Sequence, residues 1–436
     1  MRNDIVHPGA DELTYEIREI VAVGEELKRM GVPIYWENIG DPIAKGRTIP
    51  PWIKDIVADL VQHDDSSYGY SPTRGILTTR EFIATMRNVE GGAAITPDDI
   101  LFFNGLGDAI QTSFLYLHPR CRILGPDPAY PTYSSAEGAH ADARHLTYDL
   151  VPERHWQPDL ADIENKVKYN PEIGGILIIN PDNPTGTVYT RDTLAGMVDI
   201  ARRYDLFVMS DEIYSNIVYG GAMVPLSQVV GTVPGIAFKG LSKEVPWPGA
   251  RCGWIEVYNR ENDPVFDRYI KSLVLAKMLE VCSTTLPQKA LPRIMSDARY
   301  QPHLREIALE FGRKADLFAE AFKAVPGLIV NKPQGAFYAS VVFQEGVLTN
   351  GQTLPIADSA VRARIEALTQ QVAKDKRFVY YLMGATGITV VPLSGMNSHR
   401  NGFRLTLLEP DMPTFKDMLA TIAACVTQYV RSEGKQ

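Results

Sequence analysis

Five side chains of different chemistry close a series of apolar runs in the middle of this chain. An amide, Asn183, sits in Asn-Pro-Asp-Asn-Pro-Thr-Gly. A carboxylate and a phenol, Asp211 and Tyr214, share Ser-Asp-Glu-Ile-Tyr. An amine, Lys243, ends Gly-Leu-Ser-Lys, and a guanidinium, Arg251, lies in Gly-Ala-Arg-Cys-Gly-Trp. A lysine amine can hold an aldehyde as a Schiff base and, once displaced, carry a proton as base and then as acid. A carboxylate facing a pyridine nitrogen keeps it protonated, so the ring can accept the electrons of a carbanion. A phenol and an amide can both donate to an oxygen on that ring. A planar guanidinium suits a phosphate better than a point charge does. Each cluster alone reads as a turn or a strand end. The ordered set carries the inference.

That set resembles the class I/II aminotransferases of pyridoxal-phosphate fold type I. The resemblance implies pyridoxal 5'-phosphate as cofactor, held covalently by Lys243, with Lys243, Asp211 and Tyr214 as the catalytic groups. Asn183 would join Tyr214 at the ring oxygen, and Arg251 would hold the phosphate. Other clusters extend the match. Leu106 and Gly107, in Gly-Leu-Gly-Asp-Ala, would offer backbone N–H groups to the phosphate at a helix start, and Ser242 would add a hydroxyl. Tyr130, in Pro-Ala-Tyr-Pro-Thr-Tyr, matches the aromatic that stacks on the ring. Tyr70, in Tyr-Gly-Tyr-Ser-Pro-Thr-Arg, matches the tyrosine that reaches the other subunit's phosphate, which implies a homodimer with shared sites. Arg404, in Phe-Arg-Leu-Thr-Leu, matches the arginine that grips the substrate α-carboxylate through two hydrogen bonds, with Gly40 and Asn183 beside it. Within the family the chain is most similar to bacterial alanine transaminases, through Phe-Lys-Gly-Leu-Ser-Lys and Tyr15-Glu16-Ile17-Arg18. Tyr15 and Arg18 match a segment covering the site there. The substrates implied are amino acids and 2-oxo acids, exchanged by a ping-pong mechanism.

Two departures stand out. Gly240 occupies a position where many relatives carry Ser or Thr toward the phosphate, and Pro246-Trp247-Pro248 follows the lysine loop, where it is expected to reshape one wall of the pocket.

These residues need a scaffold that brings chain segments far apart to one edge. Ile100–Asn104, Arg122–Pro126, Gly175–Asn180, Leu206–Ser210 and Ile236–Lys239 read as buried strands. Arg191–Tyr204, with Leu194, Met197, Val198 and Ala201 at helical spacing, reads as a helix between two of them. The pattern is α/β: a large domain with a mostly parallel sheet flanked by helices. Ligands bind beyond the carboxyl ends of such strands, where Asn183, Asp211 and Lys243 fall. Further helices are expected over Asp11–Met30, Pro302–Ala324 and from Met412. Strands are expected over Leu328–Asn331, Ala336–Val342, Ile388–Pro392 and Phe403–Leu407. The polar stretch Gln344–Gln371 reads as a surface insertion with Val361–Leu368 helical. The family resemblance implies a seven-stranded-type sheet and a smaller α+β domain built from both chain ends. The expected division is an N-terminal segment 1–45 covering the site, a cofactor domain 46–295 and a small domain 296–436.

Composition agrees. The 436 residues are too many for one compact core, and 45% hydrophobic with 22% charged residues is an ordinary globular balance. A net charge of −8, with no basic block, argues against a nucleic-acid partner. No apolar run is long enough for a membrane span. Cys121, Cys252, Cys282 and Cys425 are scattered without metal-site or disulfide spacing, as in a cytoplasmic protein, and no metal site is expected. A lyase, decarboxylase or cyclopropane-forming synthase of the same fold would use the same lysine and aspartate. A cofactor-sensing transcription regulator is disfavoured, since the segment before Gly40 is short and not basic.

Overall fold

A computed structural model describes residues 5–13 and 16–432. Its largest element is one sheet in which the strands lie in the order Ile100–Phe103, Gly253–Tyr258, Gly235–Gly240, Phe207–Asp211, Ile173–Ile179, Arg122–Asp127, Leu146–Val151 and Gln157–Pro158. The first seven form the expected sheet; Gln157–Pro158 adds a two-residue edge. Pairing is parallel from Gly235–Gly240 to Leu146–Val151, while Gly253–Tyr258 runs antiparallel to both its neighbours. Each expected strand of this sheet forms within a residue or two of its expected limits.

The connections show why. In Arg191–Arg203, Thr190 caps the first turn by accepting the Thr193 N–H at 3.1 Å, and Leu194, Met197, Val198 and Ala201 bury one stripe against the sheet. The basic pair Arg202 and Arg203 ends it, where the helix dipole favours positive charge. One core lies between the sheet and this side; a second layer, including Ala109, Phe114, Leu273 and Val274, covers the other face.

A separate core joins the two ends of the chain. Ile20, Val23 and Leu27 of the helix Glu16–Arg29 pack with Phe378, Phe403, Phe415 and Tyr429. A four-stranded antiparallel sheet lies here, in the order Leu328–Val330, Tyr338–Phe343, Gly402–Thr406 and Val391–Pro392. The helix Tyr300–Phe322 spans both cores, with Leu304 in the first and Phe311 and Phe318 in the second.

Three local expectations change. Asp11–Met30 is not one helix. A short turn, Pro8–Glu12, packs Gly9 against the Ala139 backbone, and Leu13 leaves helical geometry at ψ 89° before Glu16–Arg29 begins. Ile388–Pro392 is split: Ile388–Thr389 pairs with Tyr35–Trp36, and Val391–Pro392 joins the small sheet. Gln344–Gln371 is not a surface insertion. Leu348, Leu354, Ile356, Val361 and Ile365 are all buried in the second core, and buried Gln352 ties the segment through the Val347 carbonyl and the Thr349 N–H. Sparse apolar residues in a polar stretch hide this burial from a reading by periodicity.

Candidate active site

The sheet delivers its polar residues to one edge. Asp211 ends its strand, Asn183 follows Ile173–Ile179, Lys243 follows Gly235–Gly240, and Tyr130 follows Arg122–Asp127. Because Gly253–Tyr258 runs the other way, Arg251 just before it reaches the same edge. Leu106, Gly107, Tyr130, Asn183, Asp211, Tyr214, Ser242, Lys243 and Arg251 line a single cavity of about 220 Å³. Nine residues singled out from sequence thus meet in one place.

At one end, the cavity is lined by Leu106 and Gly107, the first residues of the helix Leu106–Leu115. Gly105 precedes it at φ +85°, and a Cβ there would sit 2.6 Å from the Arg251 guanidinium, so only glycine admits the arginine. Arg251 itself donates to the carbonyls of Asn104, at 3.2 Å, and Pro248, at 3.3 Å. Backbone N–H groups, a helix dipole and a guanidinium make this end an anion site.

At the other end, Asp211 is buried, and one of its oxygens accepts the Ile213 N–H at 3.0 Å. Burial pushes its carboxyl up to about 6; the Ile213 N–H and the nearby Tyr133 hydroxyl pull the other way. Tyr133 is itself buried, and its hydroxyl faces Asp211; burial, together with Asp211, pushes the phenol up. A cationic ring nitrogen would supply the charge that this buried carboxylate lacks.

Lys243 lies between these ends. Its Nζ donates to the Gly40 carbonyl at 2.9 Å and stands 5.6 Å from the Phe337 ring centre and 5.8 Å from that of Tyr214. The loop after it is anchored: Tyr300 donates to buried Glu244, and His303 Nε2 lies 2.9 Å from the Glu244 carbonyl. Pro248 forms part of the cavity wall, and Pro246 lines a smaller chamber of about 30 Å³ that shares Lys243 with it. The proline-rich run therefore does shape this wall. Gly240 has a steric reason: a Cβ would meet the Cys252 carbonyl at 3.0 Å and Ile213 at 3.1 Å.

Arg404 is buried, not a solvated strand arginine. Its guanidinium donates to Asn183 Oδ1 at 3.3 Å and to the Asn38 carbonyl, and it lies over the Tyr338 ring at 4.5 Å. Tyr338 lines the cavity and accepts from Tyr214 at 3.1 Å. Gly40 is required beside it, because a Cβ would fall 2.0 Å from the Tyr338 hydroxyl. Tyr338, Phe337, Tyr133 and Asn38 were not singled out from sequence. Gly-Ala-Phe-Tyr after a turn was the available signal, but aromatic residues in a strand more often fill a core.

Two residues stand elsewhere. Tyr70 is 88% exposed, outside this cavity. Arg18 is exposed on the helix Glu16–Arg29 and is not part of the cavity lining. Tyr15 lies outside the described residues. Cys252 is buried, which pushes its thiol up to about 12, as for a packing residue. Among the described residues no cluster has the make-up of a metal site, and no helix is long and apolar enough to cross a membrane.

Comparison with known proteins adds an independent line. Residues 38–415 match the family model for aminotransferase class I and II. An uncharacterized aminotransferase of Methanocaldococcus jannaschii is 48% identical, covering 99% of this chain and 100% of its own. An alanine aminotransferase of Mycobacterium tuberculosis is 30% identical over 75% of this chain and 76% of its own. Among solved structures, an alanine aminotransferase from Pyrococcus furiosus superposes with a TM-score of 0.83 at 26% identity, covering 96% of this chain and 98% of that one.

Proposed function

The chain belongs to the class I and II aminotransferases, and on that premise we propose that it is a pyridoxal-phosphate enzyme exchanging an amino group between an L-amino acid and a 2-oxo acid. Glutamate with 2-oxoglutarate and alanine with pyruvate are the leading pairs, since relatives named for alanine and glutamate–pyruvate transamination are similar over three quarters of the chain. The observation that carries the reading is the convergence of Lys243, Asp211, Asn183, Tyr214 and Arg251 on one cavity.

The donor set fits the cofactor: an anion site, a buried carboxylate and an amine at separate points of one cavity. When bound, the cofactor supplies an electron sink for the substrate's Cα and carries the amino group between half-reactions. The chain's own residues do the rest. Leu106, Gly107, Ser242 and Arg251 hold the phosphate, and Tyr130 lies against the ring. Asp211 keeps the ring nitrogen protonated, and Tyr214 and Asn183 donate to the ring oxygen. Arg404 and Gly40 receive the α-carboxylate, with Asn183 beside them. Lys243 attaches the cofactor and then takes and returns the Cα proton. The family resemblance would have Tyr15 and Arg18 cover the bound substrate and exclude water, for which Arg18, exposed outside the cavity lining, would have to turn inward. Tyr70 serves the phosphate of a second copy in a homodimer. We place the domain limits near residues 45 and 295, and the protein in the cytoplasm, which four free cysteines favour.

Two measurements test this. Borohydride reduction should fix the cofactor on the peptide carrying Lys243; a label on another lysine would remove the assignment. Alanine plus 2-oxoglutarate should give pyruvate with ping-pong kinetics. A clear preference for aspartate, phenylalanine or leucine would overturn the substrate pair. Release of ammonia or carbon dioxide without keto-acid exchange would overturn transamination.

A further inference from the structure

The loop between Val391–Pro392 and Gly402–Thr406 carries two consecutive basic residues, His399 and Arg400, into the large domain. They meet two carboxylates that stand side by side, because Asp127 and Asp149 are directly paired residues on neighbouring parallel strands. His399 Nδ1 lies 2.7 Å from Asp127 Oδ2, which also accepts the His399 backbone N–H at 3.3 Å. Arg400 donates to Asp149 Oδ2 at 2.7 Å. Adjacent carboxylates repel, and burial raises the Asp149 carboxyl while Arg400 and His399 oppose that rise, so two basic side chains on consecutive residues match the pair one to one.

The contact is anchored at both ends. On the large-domain side the Ala129 N–H donates to the Met396 carbonyl at 2.8 Å, and Asn397 donates to Ser134. Ala129 directly precedes Tyr130. On the small-domain side the buried Asp375 accepts from Ser394 through its N–H at 2.8 Å and its hydroxyl at 2.6 Å, and from the Gly402 N–H at 3.3 Å. Arg404 follows two residues after Gly402. The clasp therefore ties the loop that leads to Arg404 to the loop that presents Tyr130.

We propose that His399, as imidazolium, is a positioning residue: with Arg400 it clasps the Asp127–Asp149 pair and sets where Arg404 stands relative to the cavity. The kinetic consequence rests on the aminotransferase reading of the site; the clasp itself does not. The charged and titratable groups facing it are Asp127, Asp149 and Arg400, while His145, near Asp127, is held down to about 4 by burial and is neutral. The bond to Asp127 raises the His399 pKa, with burial and Arg400 opposing. A raised imidazole contributes in full below the ordinary histidine value, and its contribution is lost as pH rises through the higher value in the fold.

The test compares KM and kcat for L-alanine in the wild-type holoenzyme, His399→Gln and His399→Arg between about pH 6 and about pH 9. Ratios between proteins cancel titration of the substrate amine. At the acid end, His399→Gln should raise KM about two- to five-fold, the span of a partly exposed ion pair, with kcat changed less. That ratio should fall toward one at the alkaline end, and His399→Arg should keep the low KM throughout. A ratio that does not vary with pH, or an unchanged KM, would overturn the proposal. The His399 imidazole, assigned by the NMR signal lost in His399→Gln, should titrate above the ordinary value in the wild type and fall back in Asp127→Asn. A normal titration in the wild type would overturn the clasp, whereas a raised one in a protein without transaminase activity would sustain it and remove only the functional reading.

Discussion

Asp211 illustrates what a single residue sacrifices for a site. Its carboxyl is pushed up to about 6, chiefly by burial, against about 4 in an unfolded chain. The folded state therefore favours the neutral form and holds the proton to higher pH than the unfolded state does. Protein stripped of cofactor should lose stability as pH rises from about 4 to about 6, by about 2–3 kcal/mol from this residue, and stay lower above that window. Asp211→Asn should remove the loss: the stripped variant should melt higher than wild type at neutral pH, and the two should converge below about pH 4. The same change should slow transamination by at least about 10²-fold, because an amide cannot supply the charge facing the ring nitrogen. Calorimetry and initial rates read the two effects separately. Arg404 makes a second case. Its donations to Asn183 and to the Asn38 carbonyl, with its stacking on Tyr338, hold the fork in place. Arg404→Lys should raise KM about tenfold for every amino acid, since a point charge does not restore a bidentate contact. An effect confined to one substrate would instead place Arg404 at the side chain.

At the scale of elements, the anion end depends on two strands and a helix meeting without side chains in the way. Gly105 and Gly253 both lie where a Cβ would strike its neighbour, Arg251 at 2.6 Å in one case and the Gly105–Leu106 backbone at 2.9 Å in the other. Gly105→Ala combines a clash with a backbone that L-residues resist, so it should weaken cofactor retention about tenfold, read as the dissociation constant on re-addition to stripped protein. Unchanged retention would mean that Arg251 does not serve the phosphate. These elements also explain what could be read in advance. Asn183, Asp211 and Lys243 each end an apolar run, so composition and position marked them together. Phe337 and Tyr338 cannot be separated from core aromatics in the sequence, because nothing local distinguishes a ring facing a cavity from one facing a sheet. The Gln344–Gln371 stretch hides its burial for the converse reason: five buried apolar residues at irregular spacing show no period. Gly240 reads as a lost hydroxyl, and the structure adds that a Cβ there would press on the Cys252 carbonyl at 3.0 Å and Ile213 at 3.1 Å, so a side chain needs its neighbours to give slightly.

At the scale of the molecule, Tyr70 remains unexplained within one chain. It is 88% exposed, as Tyr68 is 71% exposed, and their segment is bonded to the end of the helix Pro264–Glu280 through Ser71 to the Ser283 carbonyl and Thr73 to the Val281 carbonyl. That helix exposes Leu275, Met278 and Leu279 on one face. We propose that these exposed residues meet a second copy of the chain, since a twofold pairing would give each subunit the other's Tyr70. Complementation tests this directly. Lys243→Ala chains should be inactive, and Tyr70→Ala chains should be impaired when cofactor is limiting. In a mixed dimer one site carries both lesions and the other carries neither, because Lys243 of one chain is served by Tyr70 of its partner. Chains unfolded and refolded together in equal amounts should then recover about a quarter of wild-type activity, half of the dimers being mixed and half of their sites intact. Activity no greater than the mean of the two separate variants would place Tyr70 with its own chain's site, or outside it altogether, and the shared-site dimer would fall with it.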